Sequence, residues 1–169
     1  SSTHFSEYDR NLCLIRGQVI DFIKTTQPTQ WDRLNEIYDI DTENKVLSRI
    51  SSEVSKRGII DVLRNGVKDR GEYLTLCHFE PKSDLNPDHL KLYQANQFTV
   101  LRQLHYSIKN ENSIDMGLFL NGLPILTMEL KNQLTGQNLK HSENQYKNDR
   151  DHKEPLLQFK RCMVHFCVD

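Results

Sequence analysis

SIDMGLFLNGLPILTMELKN, residues 113–132, places two runs of mostly apolar residues on either side of Asn121-Gly122. Asn-Gly between two strand-like runs is a strong local signal for a β-hairpin. Asp115 lies at the far end of the first run, and Glu129, Leu130 and Lys131 end the second. The hairpin register decides whether these charges meet, because side chains alternate faces along a strand. In a two-residue turn Leu120 pairs with Leu123, Asp115 opposes Met128, and Glu129 points to the other face. One extra loop residue pairs Leu120 with Pro124 and sets Asp115 opposite Glu129, with Lys131 on the same face. Pro124 cannot donate a ladder bond, and Asn-Gly is also common in three-residue loops with a bulge. The longer loop is therefore expected, with the two carboxylates about 5 Å apart at Cβ.

Paired carboxylates repel and raise each other's pKa unless a cation lies between them. An oxygen-only donor set suits a hard divalent ion, magnesium or manganese, which keeps several waters. The expected ligands are Asp115, Glu129 and the backbone carbonyl of Leu130. Lys131 then stands where it can orient a water or stabilise charge on a phosphate. The plainer reading is a solvated sheet face with a Glu/Lys pair. Glu53 is a third candidate acid. It shares or borders the helical stripe of Val46, Ile50 and Val54, so it needs a partner. That partner is either a salt bridge at the rim or the same cleft.

Around the hairpin the chain reads as α/β. Leu12, Ile15, Val19, Phe22 and Ile23 recur at helical spacing. Thr29 can cap a short helix carrying Trp31, Leu34 and Tyr38. Asp41 or Thr42 can cap the next, which Gly58 ends, and IIDVLRNG closes at Gly66. The period then becomes alternating. EYLTLCHF (72–79) and QFTVLRQLHYS (97–107) read as strands, with a short helix opened by Pro87 between them. After the hairpin, GQNLKHSENQYKNDRDH reads as a helix broken by Pro155, and CMVHFCVD as a buried strand. The expected fold is a central mixed β-sheet flanked by helices, built as an antiparallel meander plus one crossover. Residues 1–66 form a helical region and 67–169 the core. A core strand at the very end suggests a fragment of something longer.

The bulk numbers fit one domain. The 169 residues are 37% hydrophobic and 27% charged, with 22 basic and 23 acidic side chains. A formal net charge of −1 gives no global basic character, although a local patch suffices for nucleic acid. No apolar run approaches the roughly 20 residues of a membrane helix, and SSTHFSEYDR has no signal-peptide pattern, so a cytoplasmic protein is expected. Cys13, Cys77, Cys162 and Cys167 form no CxxC pair and read as small buried residues in a reducing compartment. His78, His105 and His165 have no acidic partner at a defined spacing, so none is assigned a catalytic role; His165 reads as a core histidine.

Several blocks together resemble the N-terminal endonuclease domain of type I restriction enzyme R (motor) subunits, within the PD-(D/E)xK nucleases. They are RGIIDVLRNGVKDRGEY, TVLRQLHYS, the 113–132 hairpin, GQN, ENQYKNDR and VHFCVD, with YDRNLCLI and TQPTQW near the start. The resemblance implies a restriction-endonuclease-like core that hydrolyses phosphodiester bonds of double-stranded DNA with Mg²⁺, or Mn²⁺, as cofactor. By position, Asp115 and Glu129 would bind metal and Lys131 would be the catalytic lysine. Related nucleases carry Gln-x-x-x-Tyr on the next helix. Here Gln145 and Tyr146 are adjacent, so Gln145 is the candidate for contacting DNA or a water at the metal, and Tyr146 for that role or for the core. The family's partners are specificity and methyltransferase subunits, which select the site, leaving the nuclease domain to read phosphates and duplex shape. Lys140, Lys147, Arg150 and Lys153 are candidate phosphate contacts or a solvated helix face. The chain has no GxxxxGK[ST], so ATP binding and translocation belong to the family's motor region and not to these residues. The alternatives to an endonuclease are a non-catalytic docking module of the same subunit and a helicase-linked exonuclease.

Overall fold

The N-terminal residues do not begin as a helix. In the computed structural model, which describes residues 8–83, 85–130 and 150–168, Tyr8–Asp9 (β1) pairs antiparallel with Leu14–Ile15 (β2). The Asp9 carboxylate accepts the backbone N–H groups of Asn11 and Leu12, both at 2.9 Å, and Cys13 turns back at φ 54°. This local competition for backbone donors removes Leu12 and Ile15 from the expected helix. Helix α1 starts at Arg16 and runs to Thr26.

Helix α2 (Pro28–Tyr38) opens on Pro28, whose missing N–H costs nothing in a first turn, so Thr29 lies inside the helix instead of capping it. Helix α3 (Thr42–Arg57) buries Val46, Leu47, Ile50 and Val54 on one stripe. Glu43 in its first turn and Lys56 and Arg57 in its last suit the helix dipole, and Gly58 ends it at φ 89°. Helix α4 (Ile59–Asn65) follows. These helices pack Val19, Ile23, Trp31, Leu34, Ile50, Val62 and their neighbours into one core.

The expected strand over 72–79 is shorter and lies outside the main sheet. Val67–Asp69 (β3) and Glu72–Leu74 (β4) form a separate two-stranded ribbon about Arg70-Gly71. Beyond Leu74 side-chain amides take the place of a partner strand. Gln27 bonds both the N–H and the C=O of Thr75, at 2.7 and 2.9 Å. Asn96 does the same for His78, and Asn121 Nδ2 donates to the Leu76 carbonyl at 3.0 Å. The backbone is satisfied without a ladder, so no strand forms.

After helix α5 (Pro87–Gln94, capped by Asn86) comes the main sheet. Its strands are β5 (Phe98–His105), β6 (Ser113–Leu120), β7 (Leu123–Leu130) and β8 (Val164–Val168), in that order. The first two pairings are antiparallel and the last is parallel, so the sheet is mixed and needs one crossover. The α/β architecture with a mixed sheet and an N-terminal helical region is as expected. Two details differ. Strand β8 sits at an edge with Val164, Phe166 and Val168 exposed, so it is not a buried strand. The hairpin turn has two residues: Leu120 pairs with Leu123, and Asn121 and Gly122 take φ 51° and 81°.

The two-residue turn is selected by what it docks against. Ile15 N–H donates to the Gly122 carbonyl at 2.9 Å, and Asn121 bonds Gln97, Leu76 and Asn96. The extra residue expected in the loop appears instead as a bulge at Pro124–Ile125, since Phe119 pairs with Pro124 but Leu118 with Leu126. The hairpin bridges both cores. Leu120 and Leu123 enter the helical core, while Ile114 and Phe119 join Leu101, Leu104, Tyr106, Leu156 and Leu157 in a second. Among the described residues no helix is long and apolar enough to cross a membrane.

Candidate metal centre

Past the bulge the register is the one the charges need. Gly117 pairs with Thr127 and Met116 with Met128. Continued one step further, that register sets Asp115 opposite Glu129, one pair before β7 ends at Leu130. The bulge shifts β7 by one residue, which gives the register expected from the longer loop.

The two carboxylates have different surroundings. Asp115 is half-buried and lines a cavity of about 380 Å³ with Arg102, Gln103, Met116 and Leu130. Its Oδ2 accepts the Leu130 N–H at 2.8 Å, and its Oδ1 accepts the Gln103 side-chain amide at 3.3 Å. Glu129 is buried and forms an ion pair with Arg150, side chains 5% and 10% exposed respectively. The Arg150 guanidinium also donates twice to the Ser113 carbonyl at 3.2 Å and lies 5.2 Å from the centre of the Tyr106 ring. A protein cation thus offsets the repulsion that adjacent carboxylates would otherwise suffer. Arg150 is turned inward onto Glu129, whereas Lys153 is exposed.

On the neighbouring row of the sheet, Leu101, Gly117, Thr127 and His165 stand side by side across the four strands. Thr127 Oγ1 meets His165 Nδ1 at 2.6 Å, and burial, followed by the charges of Arg150 and His152, lowers the His165 pKa. His165 is therefore a satisfied histidine, but it is half-buried on an edge strand and not in the core as expected. His105 has a partner the sequence did not reveal: its Nδ1 lies 3.0 Å from the Glu111 carbonyl oxygen.

Glu53 resolves in favour of the salt bridge. Its two oxygens face Arg49 at 3.2 Å and Arg57 at 3.1 Å, both one helical turn away. Among the described residues no three His, Cys, Asp or Glu side chains cluster as a metal site, so Glu53 does not join Asp115 and Glu129. Lys131, Gln145 and Tyr146 lie outside the described residues, as do Lys140 and Lys147.

Asp115 and Glu129 are oxygen donors on one face, with the Leu130 backbone beside Asp115. A hard divalent ion held by one or two carboxylates and otherwise by water takes this kind of donor set, so the residues present fit one. Sequence reasoning missed Gln103 as a neighbour of Asp115 and the pairing of Arg150 with Glu129. One trace of the first exists: Arg102 and Gln103 are adjacent polar residues in an otherwise alternating strand, which marks a change of phase. The second joins residues 21 apart across a crossover and leaves no local trace.

The model for the family described as Type I restriction enzyme R protein N terminus (HSDR_N) matches residues 15–168, and the chain belongs to that family. No curated protein and no solved structure matches it.

Proposed function

We propose that this member of the type I restriction enzyme R protein N-terminal family is its endonuclease domain, hydrolysing phosphodiester bonds of double-stranded DNA with Mg²⁺ or Mn²⁺. The observation that carries the reading is the pairing of Asp115 and Glu129 at the open end of the hairpin, with Lys131 next in the chain. Asp115, Glu129 and the Leu130 carbonyl would hold the ion. When bound, a divalent ion would supply Lewis-acid polarisation of a phosphate oxygen. The chain's own part is geometric and electrostatic. The Leu130 N–H and the Gln103 amide orient the Asp115 carboxylate, and Arg150 holds the buried Glu129 in place. Lys131 would bring a positive charge to a phosphate bound there, where charge grows during the displacement. Gln145 would contact DNA or a water at the site, with Tyr146 beside it.

In this reading the partners are double-stranded DNA and the specificity and methyltransferase subunits of a cytoplasmic restriction-modification complex. ATP-driven translocation is assigned to the family's motor region. The Glu129–Arg150 pair favours a second reading, a docking module of the same subunit, because a carboxylate already neutralised by a guanidinium has less need of a metal. The test is nicking of supercoiled plasmid by the chain with Mg²⁺ or Mn²⁺, beside Asp115→Ala with its fold checked by circular dichroism. Cleavage lost in a folded Asp115→Ala supports the nuclease. Cleavage undiminished in that variant, or no cleavage by wild type together with no Glu129-dependent Mn²⁺ binding, supports the docking module.

A further inference from the structure

Gln103 stands out in β5 for its backbone. It takes φ 48° in the interior of a strand, where a side chain with a Cβ is costly to place. The ladder keeps count on either side, with Arg102 opposite Met116 and Leu104 opposite Ile114. No residue has been inserted, so the positive φ does not accommodate a slipped register. It does change the phase of the strand. Thr99 and Leu101 are buried, Arg102 and Gln103 are both exposed, and Leu104 is buried again.

The side chain delivered by this turn is fixed at both ends. Its Oε1 accepts from the Ser113 hydroxyl at 3.4 Å, and its Nε2 donates to Asp115 Oδ1 at 3.3 Å. With its acceptor end engaged by Ser113, the amide presents its donor end to the carboxylate. Asp115 is thereby gripped on both oxygens, by Gln103 and by the Leu130 N–H. All three residues line the same cavity. Backbone strain that persists beside a candidate site, and that aims a side chain at its acid, has a functional explanation. Outer partners that orient a metal-binding carboxylate tune its affinity for the ion.

The geometry points to Gln103 as a positioning residue for Asp115, held in a strained conformation so that its amide sets the orientation in which that carboxylate meets a divalent ion. This rests on the proposed metal centre, and its test separates the two. Gln103→Gly keeps access to positive φ and removes the amide; Gln103→Asn tolerates the same φ but shortens the reach. Mn²⁺ binding to the intact chain is measured by calorimetry alongside thermal melting. Both variants are expected to bind Mn²⁺ about tenfold more weakly than wild type, with melting temperatures equal to or above it. A merely structural role would lower the melting temperature and leave Mn²⁺ affinity within twofold, which overturns the proposal.

A second readout needs no metal. The Gln103 side-chain amide resonances of the metal-free chain are compared with those of Asp115→Ala, and a clear shift is expected. Unmoved resonances overturn the contact. If wild type binds no Mn²⁺ at a Glu129-dependent site, the metal centre fails, while the amide resonances still decide whether Gln103 orients Asp115.

Discussion

Arg150→Met strands a charge. The substitution keeps much of the arginine stem against Tyr106 but removes the guanidinium from Glu129, whose side chain is 5% exposed. Removing one partner of a buried pair costs about 3–5 kcal/mol, because the remaining charge is left uncompensated in a poorly solvated place. Two hydrogen bonds to the Ser113 carbonyl are lost as well. For a domain of this size each kcal/mol moves the melting temperature by roughly 2–4 °C, so a fall of about 6–20 °C is expected. Two comparisons isolate the electrostatic cause. Glu129→Gln in the same chain restores most of the loss. Mn²⁺ stabilises Arg150→Met more than wild type, because the ion can replace the missing cation. The assay is thermal melting by circular dichroism at pH 7, with and without Mn²⁺. A fall of less than about 2 °C at pH 7, or a larger fall that Glu129→Gln does not relieve, would refute the argument, since the arginine would then contribute by packing alone.

Two further outcomes follow from the hairpin and the buried thiols. Gly122→Ala is expected to cost at least about 2–4 kcal/mol in urea unfolding: φ 81° disfavours a Cβ, and that Cβ would sit 2.6 Å from the Ile15 carbonyl oxygen and 2.7 Å from a Val19 methyl. A loss under about 1 kcal/mol would mean that the turn can lift away from α1. Burial, and then the neighbouring Cys13, push the Cys162 thiol up to about 12, and burial also raises Cys13. Both should resist a thiol reagent at pH 8 until denaturant is added, because the thiolate is the reactive form. Rapid modification of Cys162 in the folded chain would contradict its placement.

The helices were legible where their signals were local. Pro28 in the first turn of α2, the Val46–Leu47–Ile50–Val54 stripe and Gly58 just beyond it are each read from a few neighbouring residues. The sequence misled where a side chain did a backbone's work. Leu12 and Ile15 keep helical spacing with Val19, yet the Asp9 carboxylate captures the donors that a helix would have used. EYLTLCHF alternates like a strand, yet Gln27, Asn96 and Asn121 satisfy its second half from elsewhere in the chain. Strand and amide-bonded loop expose the same apolar faces, so the pattern does not separate them.

The hairpin is the sharper case, because a wrong loop led to the right register. Pro124 indicated one residue too many for a flush ladder, and that count holds below the bulge, where Met116 meets Met128. What the sequence lacked was the position of the excess. The turn itself could not lengthen without giving up the Asn121 bonds to Leu76, Asn96 and Gln97 and the Ile15 bond to Gly122, so the excess moved into the strand. Pro124 tolerates this because it has no ladder N–H to lose. The register that sets Asp115 opposite Glu129 is thus fixed by the docking of a turn six residues along the chain from Asp115, not by the carboxylates themselves. Disfavoured pairs of like charge that a fold enforces at the end of two strands, and then neutralises on one side only, are the places to look for chemistry. Here Glu129 has its cation in Arg150, and Asp115 has only neutral donors among its hydrogen bonds from the described residues.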